Sequence, residues 1–296
     1  MCGIVGLFLK DPALQPALGR FTAAMLATLT DRGPDSAGFA VYGEGRPGAV
    51  KLTLRVPTPI DLHTLAAGFD VEDFRVARHD DHVVLTIPSQ QEQEMRDRLA
   101  TQAPQASVVG SGQRIELYKG VGLPLEVCGR FGLGDMGGTH AIGHTRMATE
   151  SAVTTAGAHP FSTGPDQCLV HNGSLSNHNG VRRTMEREGI AFETDNDTEV
   201  AARYLSWRMH QGARLDEALR AALIDLDGFY TFVIGTESGF GVLRDPIACK
   251  PAIIAETDGY VAFGSEYRAL VDLPGIEAAD VFEPEPARVY FWEHRA

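Results

Sequence analysis

The sequence has no apolar run near the roughly 20 residues needed to cross a bilayer, so no membrane-spanning helix is expected. The opening "GIVGLFL" is too short for a span and lacks the basic flank of a targeting segment. Cysteine is scarce: Cys2, Cys128, Cys168 and Cys249 lie far apart with no CxxC pair. That argues against a zinc ribbon or a cysteine-ligated iron–sulfur cluster built by this chain. Without a dense cysteine framework or a signal peptide, a reducing cytoplasm is the expected location. A disulfide between two distant cysteines stays open on these grounds. Basic residues are in deficit, 26 Lys and Arg against 39 Asp and Glu, for a net charge of −13. Such a chain repels phosphate backbones, so nucleic acid is not an expected partner. No GxGxxG follows a strand and there is no P-loop, so no nucleotide site is expected.

What is present is a globular mixture, 44% hydrophobic and 22% charged over 296 residues, enough for one large domain or two small ones. Residues 3–9 read as a buried strand, 16–29 as a helix by apolar spacing, and 37–43 as a strand leading to a turn at 43–48. Between about 45 and 125 the pattern suggests a compact α/β piece without a catalytic-looking cluster, read as an inserted module. Helices are expected at 197–211 and 214–225. Four strands then follow: 228–237, 239–246, 251–265 and 287–294. Many strands are joined by tight Gly or Asp turns, which favours antiparallel sheets covered by helices.

Several short stretches carry candidate chemistry. In "MCGIVGLF" the second residue is small enough for Met1 to be trimmed. Trimming would leave a thiol and an α-amino group on one carbon, a nucleophile with its own base. A strand that happens to begin with Cys explains this stretch equally simply. "HNGSL" (171–175) follows the apolar "CLV" and predicts an Asn–Gly turn. Such a turn aims an amide and a Gly N–H the same way, as an oxyanion hole needs, although Asn-Gly is also the strongest hairpin signal. Arg146 in "GHTRMAT" (143–149) suits bidentate carboxylate recognition. "DNDTE" (195–199) opens a helix. Capping by Asp195, Asn196 or Asp197 explains part of it, and one Asp could hold a substrate ammonium. An Arg for a carboxylate and an Asp for an amine would together grip a free α-amino acid. Arg32 in "RGPDSAG" and His159 in "AHPF" read equally well as structural.

Taken in order, "MCGIVG", "RGPDSAG", "GHTRMAT", "AHPF", "HNGSL" and "TDNDTE" resemble the signature series of the class II glutamine amidotransferases. The segment 228–251 is similar to that family's later strands. The resemblance implies an α+β chain with the N-terminal-nucleophile hydrolase fold, an αββα sandwich of two antiparallel sheets covered by helices. It implies one domain over 1–296, with the small α/β insertion at about 45–125. It further implies that Cys2, freed of Met1, attacks the glutamine side-chain amide with its own α-amine as base, since such an amine titrates near ~7.7–8.0. Asn172 and the Gly173 N–H would stabilise the oxyanion. Arg146 would bind the α-carboxylate with Thr149 beside it, Asp197 the α-ammonium, and Arg32 and His159 would support the site. The family often has an aromatic residue after the Arg, where this chain has Met147. A retained Met1 would remove the proposed base.

The segment "ELYKGVGLPLEV" and its flank are most similar to stand-alone amidotransferase subunits of the glutamate synthase and N-methylglutamate synthase type. That resemblance implies a hetero-oligomer whose acceptor chemistry lies on separate synthase subunits. FMN and iron–sulfur centres would belong to those subunits, with no cofactor or metal in this chain. Two alternatives stand beside it. One is a catalytically idle regulatory or scaffolding subunit. The other is an N-terminal-nucleophile hydrolase acting on another amide, for which the Arg146 and Asp197 pair would be pointless.

Overall fold

Strand β1 (Gly3–Leu9) is buried from end to end because both of its faces are covered. Val5, Leu7 and Leu9 point into one core, Ile4 and Phe8 into another, as the two-residue period of a strand requires. This double burial is why the segment reads as a continuous apolar run. The computed structural model describes residues 2–68, 74–148 and 152–294, and within them β1 lies at the centre of a seven-stranded sheet. Its neighbours are β8 (His140–Arg146) and β14 (Tyr260–Gly264). Beyond β8 come β2 (Ser36–Tyr42) and β7 (Ile115–Val121); beyond β14 come β13 (Ile253–Glu256) and β15 (Asp280–Phe282). All these pairs are antiparallel.

A second antiparallel sheet has the order β16 (Val289–Glu293), β12 (Gly239–Arg244), β11 (Gly228–Gly235), β10 (Gln167–Leu175), β9 (Phe161–Gly164). Cys168, Val170, Val233, Phe240 and Val242 meet Ile4, Phe8, Ala40 and Tyr42 between the sheets. Helices α1 (Leu18–Thr28) and α4 (Pro124–Phe131) cover the outer face of the first sheet. Helices α5 (His178–Arg187), α6 (Asp197–His210) and α7 (Leu215–Asp225) cover the outer face of the second. The layers are helix, sheet, sheet, helix, the expected α+β sandwich.

The inserted segment has a sheet and a core of its own. Strands β3 (Ala49–Arg55), β4 (Arg75–His79), β5 (His82–Pro88) and β6 (Ser107–Gly112) pair in the order β4–β5–β3–β6. Under helices α2 (Leu62–Ala66) and α3 (Glu92–Gln102), Leu52, Leu54, Leu85, Met95 and Leu99 form that core. The separate sheet therefore spans 49–112, narrower than the stretch of about 45–125 read from the sequence. Residues 115–121 instead form β7 of the main sheet, paired along their length with β2, because Leu117 and Tyr118 fill the main cores rather than the insert's. The expected strand at 251–265 is a hairpin of β13 and β14. Its turn is closed by the Thr257 hydroxyl accepting from the Gly259 and Tyr260 N–H groups at 3.1 and 3.0 Å.

Candidate active site

The antiparallel register of β1 and β8 brings residues far apart in sequence together. Gly3 pairs with Thr145, so Cys2, just before β1, lies beside Arg146, the last residue of β8. The Cys2 thiol is 3.8 Å from the Met147 carbonyl oxygen. Its backbone carbonyl accepts from Arg32 Nε at 2.9 Å and from Asn172 Nδ2 at 3.1 Å. Arg32 also pairs with Glu266. It therefore anchors the Cys2 backbone rather than facing a substrate. The rest of "RGPDSAG" scaffolds the same corner. A Cβ on Gly33 would sit 2.4 Å from the Thr145 carbonyl carbon, so only glycine lets the chains approach. The Asp35 carboxylate accepts the Ala148 N–H at 2.8 Å.

The expected Asn–Gly turn is not a turn. Asn172 and Gly173 lie inside β10, opposite Thr231 and Tyr230 of β11; the strand runs on to Leu175 before the chain enters α5. Gly173 has φ +147, and a Cβ there would meet the Phe229 carbonyl oxygen at 2.0 Å. The glycine is required by this strand contact, not by a chain reversal.

Asn196 is the cap of α6; its side chain accepts the Thr198 N–H at 2.9 Å. Asp197 is thereby relieved of capping. One of its oxygens accepts the Leu175 N–H at 2.9 Å, and the other lies 3.7 Å from His171 Nδ1. That first bond ties the start of α6 to the end of β10. A cavity of about 310 Å³ then brings together Cys2, Arg146, Met147, His159, Gly173, Asp195 and Asp197. Arg146 Nη1 donates to the Ala152 carbonyl at 3.3 Å. Asn172 reaches this corner through the Cys2 carbonyl, and Thr149 lies outside the described residues. A larger cavity of about 660 Å³ between the inserted sheet and the body holds none of the sequence-predicted site residues.

Along the wall of the cavity, where His159 and His171 line it, is a histidine cluster that the sequence reading missed apart from His159. The His144 and His159 rings stack at 3.9 Å. His144 Nε2 faces the His171 carbonyl at 2.9 Å, which requires that nitrogen to carry the hydrogen. His159 Nε2 and His171 Nδ1 both meet the Thr198 hydroxyl, at 2.7 and 2.9 Å. His144 and His171 sit within "GHTR" and "HNGS", but nothing in those strings signals that they converge.

Burial holds these rings neutral. The pKa of His144 is pushed down to about 3, as is that of His140 between the sheets, and those of His159 and His171 are lowered too. In the unfolded chain each takes up a proton near pH ~6.5. Below that pH the unfolded chain binds more protons than the folded one. Stability is full above it and should fall as pH drops, by about 1.4 kcal/mol per pH unit each for His140 and His144, with His159 and His171 adding in the same direction. Calorimetry should therefore show Tm dropping steeply from pH 7 to 5; a flat Tm would contradict the neutral cluster.

The four layers and the position of Cys2 at the head of a central strand are the architecture of the N-terminal-nucleophile hydrolases. Residues 144–272 match a family model described as a glutamine amidotransferase domain. The chain is 60% identical to the glutamine amidotransferase-like protein GlxB of Rhizobium meliloti (strain 1021), over 100% of this chain and 99% of that one. It is 34% identical to a putative glutamine amidotransferase of Methanothermobacter thermautotrophicus, over 98% and 99% of the two chains. Among solved structures, the glutamine phosphoribosylpyrophosphate amidotransferase of B. subtilis superposes with a TM-score of 0.64 at 21% identity. That match covers 99% of this chain but 47% of the other, so this chain spans about half the length of that enzyme. The chain belongs to the class II glutamine amidotransferase family.

Proposed function

We propose that the 310 Å³ cavity is a glutaminase site with Cys2 as its nucleophile. The observation that carries this reading is the meeting of a thiol, a guanidinium and a carboxylate in one small cavity. A free α-amino acid offers a carboxylate to Arg146 and an ammonium to Asp197, and its side-chain amide then extends toward Cys2. With Met1 removed, the Cys2 α-amine takes the thiol proton, and sulfur attacks the amide carbon. The oxyanion is met by the Gly173 N–H and by the second N–H of the Asn172 amide, whose first is on the Cys2 carbonyl. Collapse returns the proton to the leaving nitrogen and releases ammonia. Water then cleaves the glutamyl thioester to give glutamate. Met147 walls the cavity where the family often has an aromatic residue.

The acceptor of the nitrogen belongs, on this reading, to separate synthase subunits of the glutamate synthase or N-methylglutamate synthase type, which would carry FMN and iron–sulfur centres. What supports it is the similarity of the insert and its flank to such stand-alone subunits. Intact-mass measurement and an amidase assay test the core of the proposal. The purified chain should lack Met1 and release glutamate from glutamine but not from acyl amides without an α-amino acid group. A chain that keeps Met1 and is inactive even with synthase subunits added would favour the idle-subunit alternative.

A further inference from the structure

We propose that Lys119 of β7, which does not line the glutamine cavity, is a positioning residue whose ammonium staples the loop at 156–160 into the shape that glutamine binding needs. This rests on the glutaminase reading above. Lys119 is 5% exposed. Its Nζ donates to the carbonyls of Ala156, Ala158 and Pro160 at 3.1, 3.0 and 3.4 Å, and lies 4.5 Å from the centre of the Phe161 ring. An ammonium has three hydrogens, and here three carbonyls of one short loop take them. Burying such a group is costly unless it is fully bonded. Burial also lowers the pKa of Lys119 to about 8, against the pull of Glu193 and Glu199.

The stapled loop touches the cavity from two sides. His159 meets the Thr198 hydroxyl beside Asp197, and the Gly157 carbonyl accepts from Asn196, the cap of α6, at 3.1 Å. A Cβ on Gly157 would lie 3.7 Å from Arg146 Nη1. The loop therefore runs between the guanidinium and the carboxylate that would hold the two ends of the amino acid. It rests directly on the β2–β7 pair: Gly38, opposite Lys119, would place a Cβ 2.1 Å from the His159 carbonyl oxygen. Without the ammonium three carbonyls lose their donor, and the spacing of Arg146 and Asp197 is no longer fixed from below. Cys2 is held separately, through β1, Arg32 and Asn172. Lys119 should thus govern glutamine affinity and not thiol reactivity.

The test is calorimetric titration of glutamine into the full-length Cys2→Ala chain with and without Lys119→Met, paired with the iodoacetamide alkylation rate of Cys2 in chains that keep it. Peptide mass spectrometry separates Cys2 from the exposed Cys249. The expected result is a Kd raised about tenfold or more, as loss of donors to buried carbonyls implies, with the Cys2 alkylation rate nearly unchanged. Lys119→Gln, which keeps two donors without the charge, should fall between. An unchanged Kd in a folded Lys119→Met chain overturns the proposal. So does loss of the melting transition in both variants, which would make the staple a matter of global stability. Absence of glutamine binding by the Cys2→Ala parent would instead refute the glutaminase reading itself.

Discussion

Replacing Cys2 with alanine should lower glutamate release from glutamine by about a thousandfold or more, the scale on which removing a covalent nucleophile acts. The other three thiols offer no substitute. Cys128 and Cys168 are buried, and burial pushes both thiols up to about 12, far from the thiolate form at neutral pH. Cys249 is exposed and absent from the cavity lining. Cys249→Ala should keep full activity, and this pair of variants separates a specific nucleophile from general thiol sensitivity. The Cys2→Ala chain should still bind glutamine, because Arg146 and Asp197 are untouched. Residual turnover near the parent rate would end the thioester mechanism.

Gly173→Ala should damage both the second sheet and turnover. The residue sits at φ +147, and the new carbon would lie 2.0 Å from the Phe229 carbonyl oxygen. Either β10 and β11 part, or the backbone leaves its observed conformation. The strain and the lost ladder bonds should cost about 2–3 kcal/mol or more, lowering Tm by several degrees. Loss of one oxyanion donor should cut turnover by about a hundredfold or more in whatever remains folded. Gly228 gives the control. It faces Leu175 across the same pair, has φ +144, and a Cβ there would meet the Ser174 carbonyl oxygen at 2.2 Å. Gly228→Ala should destabilise comparably and spare turnover of the folded fraction. Equal loss of turnover in both variants would mean that Gly173 acts only through the sheet. Scanning calorimetry and the glutamate assay together distinguish the two.

Much of this was legible from residues alone because the signals are local. The buried strand at 3–9 and the helices at 197–211 and 214–225 follow from short-range pattern. The errors also have local causes. "HNGSL" carries the strongest hairpin signal, yet the chain does not reverse there. Its glycine answers to the Phe229 carbonyl, a contact with a strand more than fifty residues away. The strand at 115–121 looked continuous with the insert because its apolar alternation is the same whichever sheet it joins. Arg32 stood in a motif near the candidate chemistry, and only its bond to the Cys2 carbonyl shows what it holds.

The sequence by itself determined the mixed strand and helix content and named the candidate residues of the site. Tight turns between short apolar runs favour antiparallel sheets covered by helices, the resemblance implies that there are two of them, and the ordered motifs supply thiol, guanidinium and carboxylate. Tertiary structure alone decided how they meet. Register places Cys2 beside Arg146; Asn196 takes the cap and leaves Asp197 to the cavity; His159 and His171 meet at Thr198 with His144 stacked on His159; and Lys119 reaches from another strand to hold the loop that carries His159. These are contacts between residues tens to hundreds of positions apart. They depend on which strands become neighbours, a choice made by the whole core rather than by any segment.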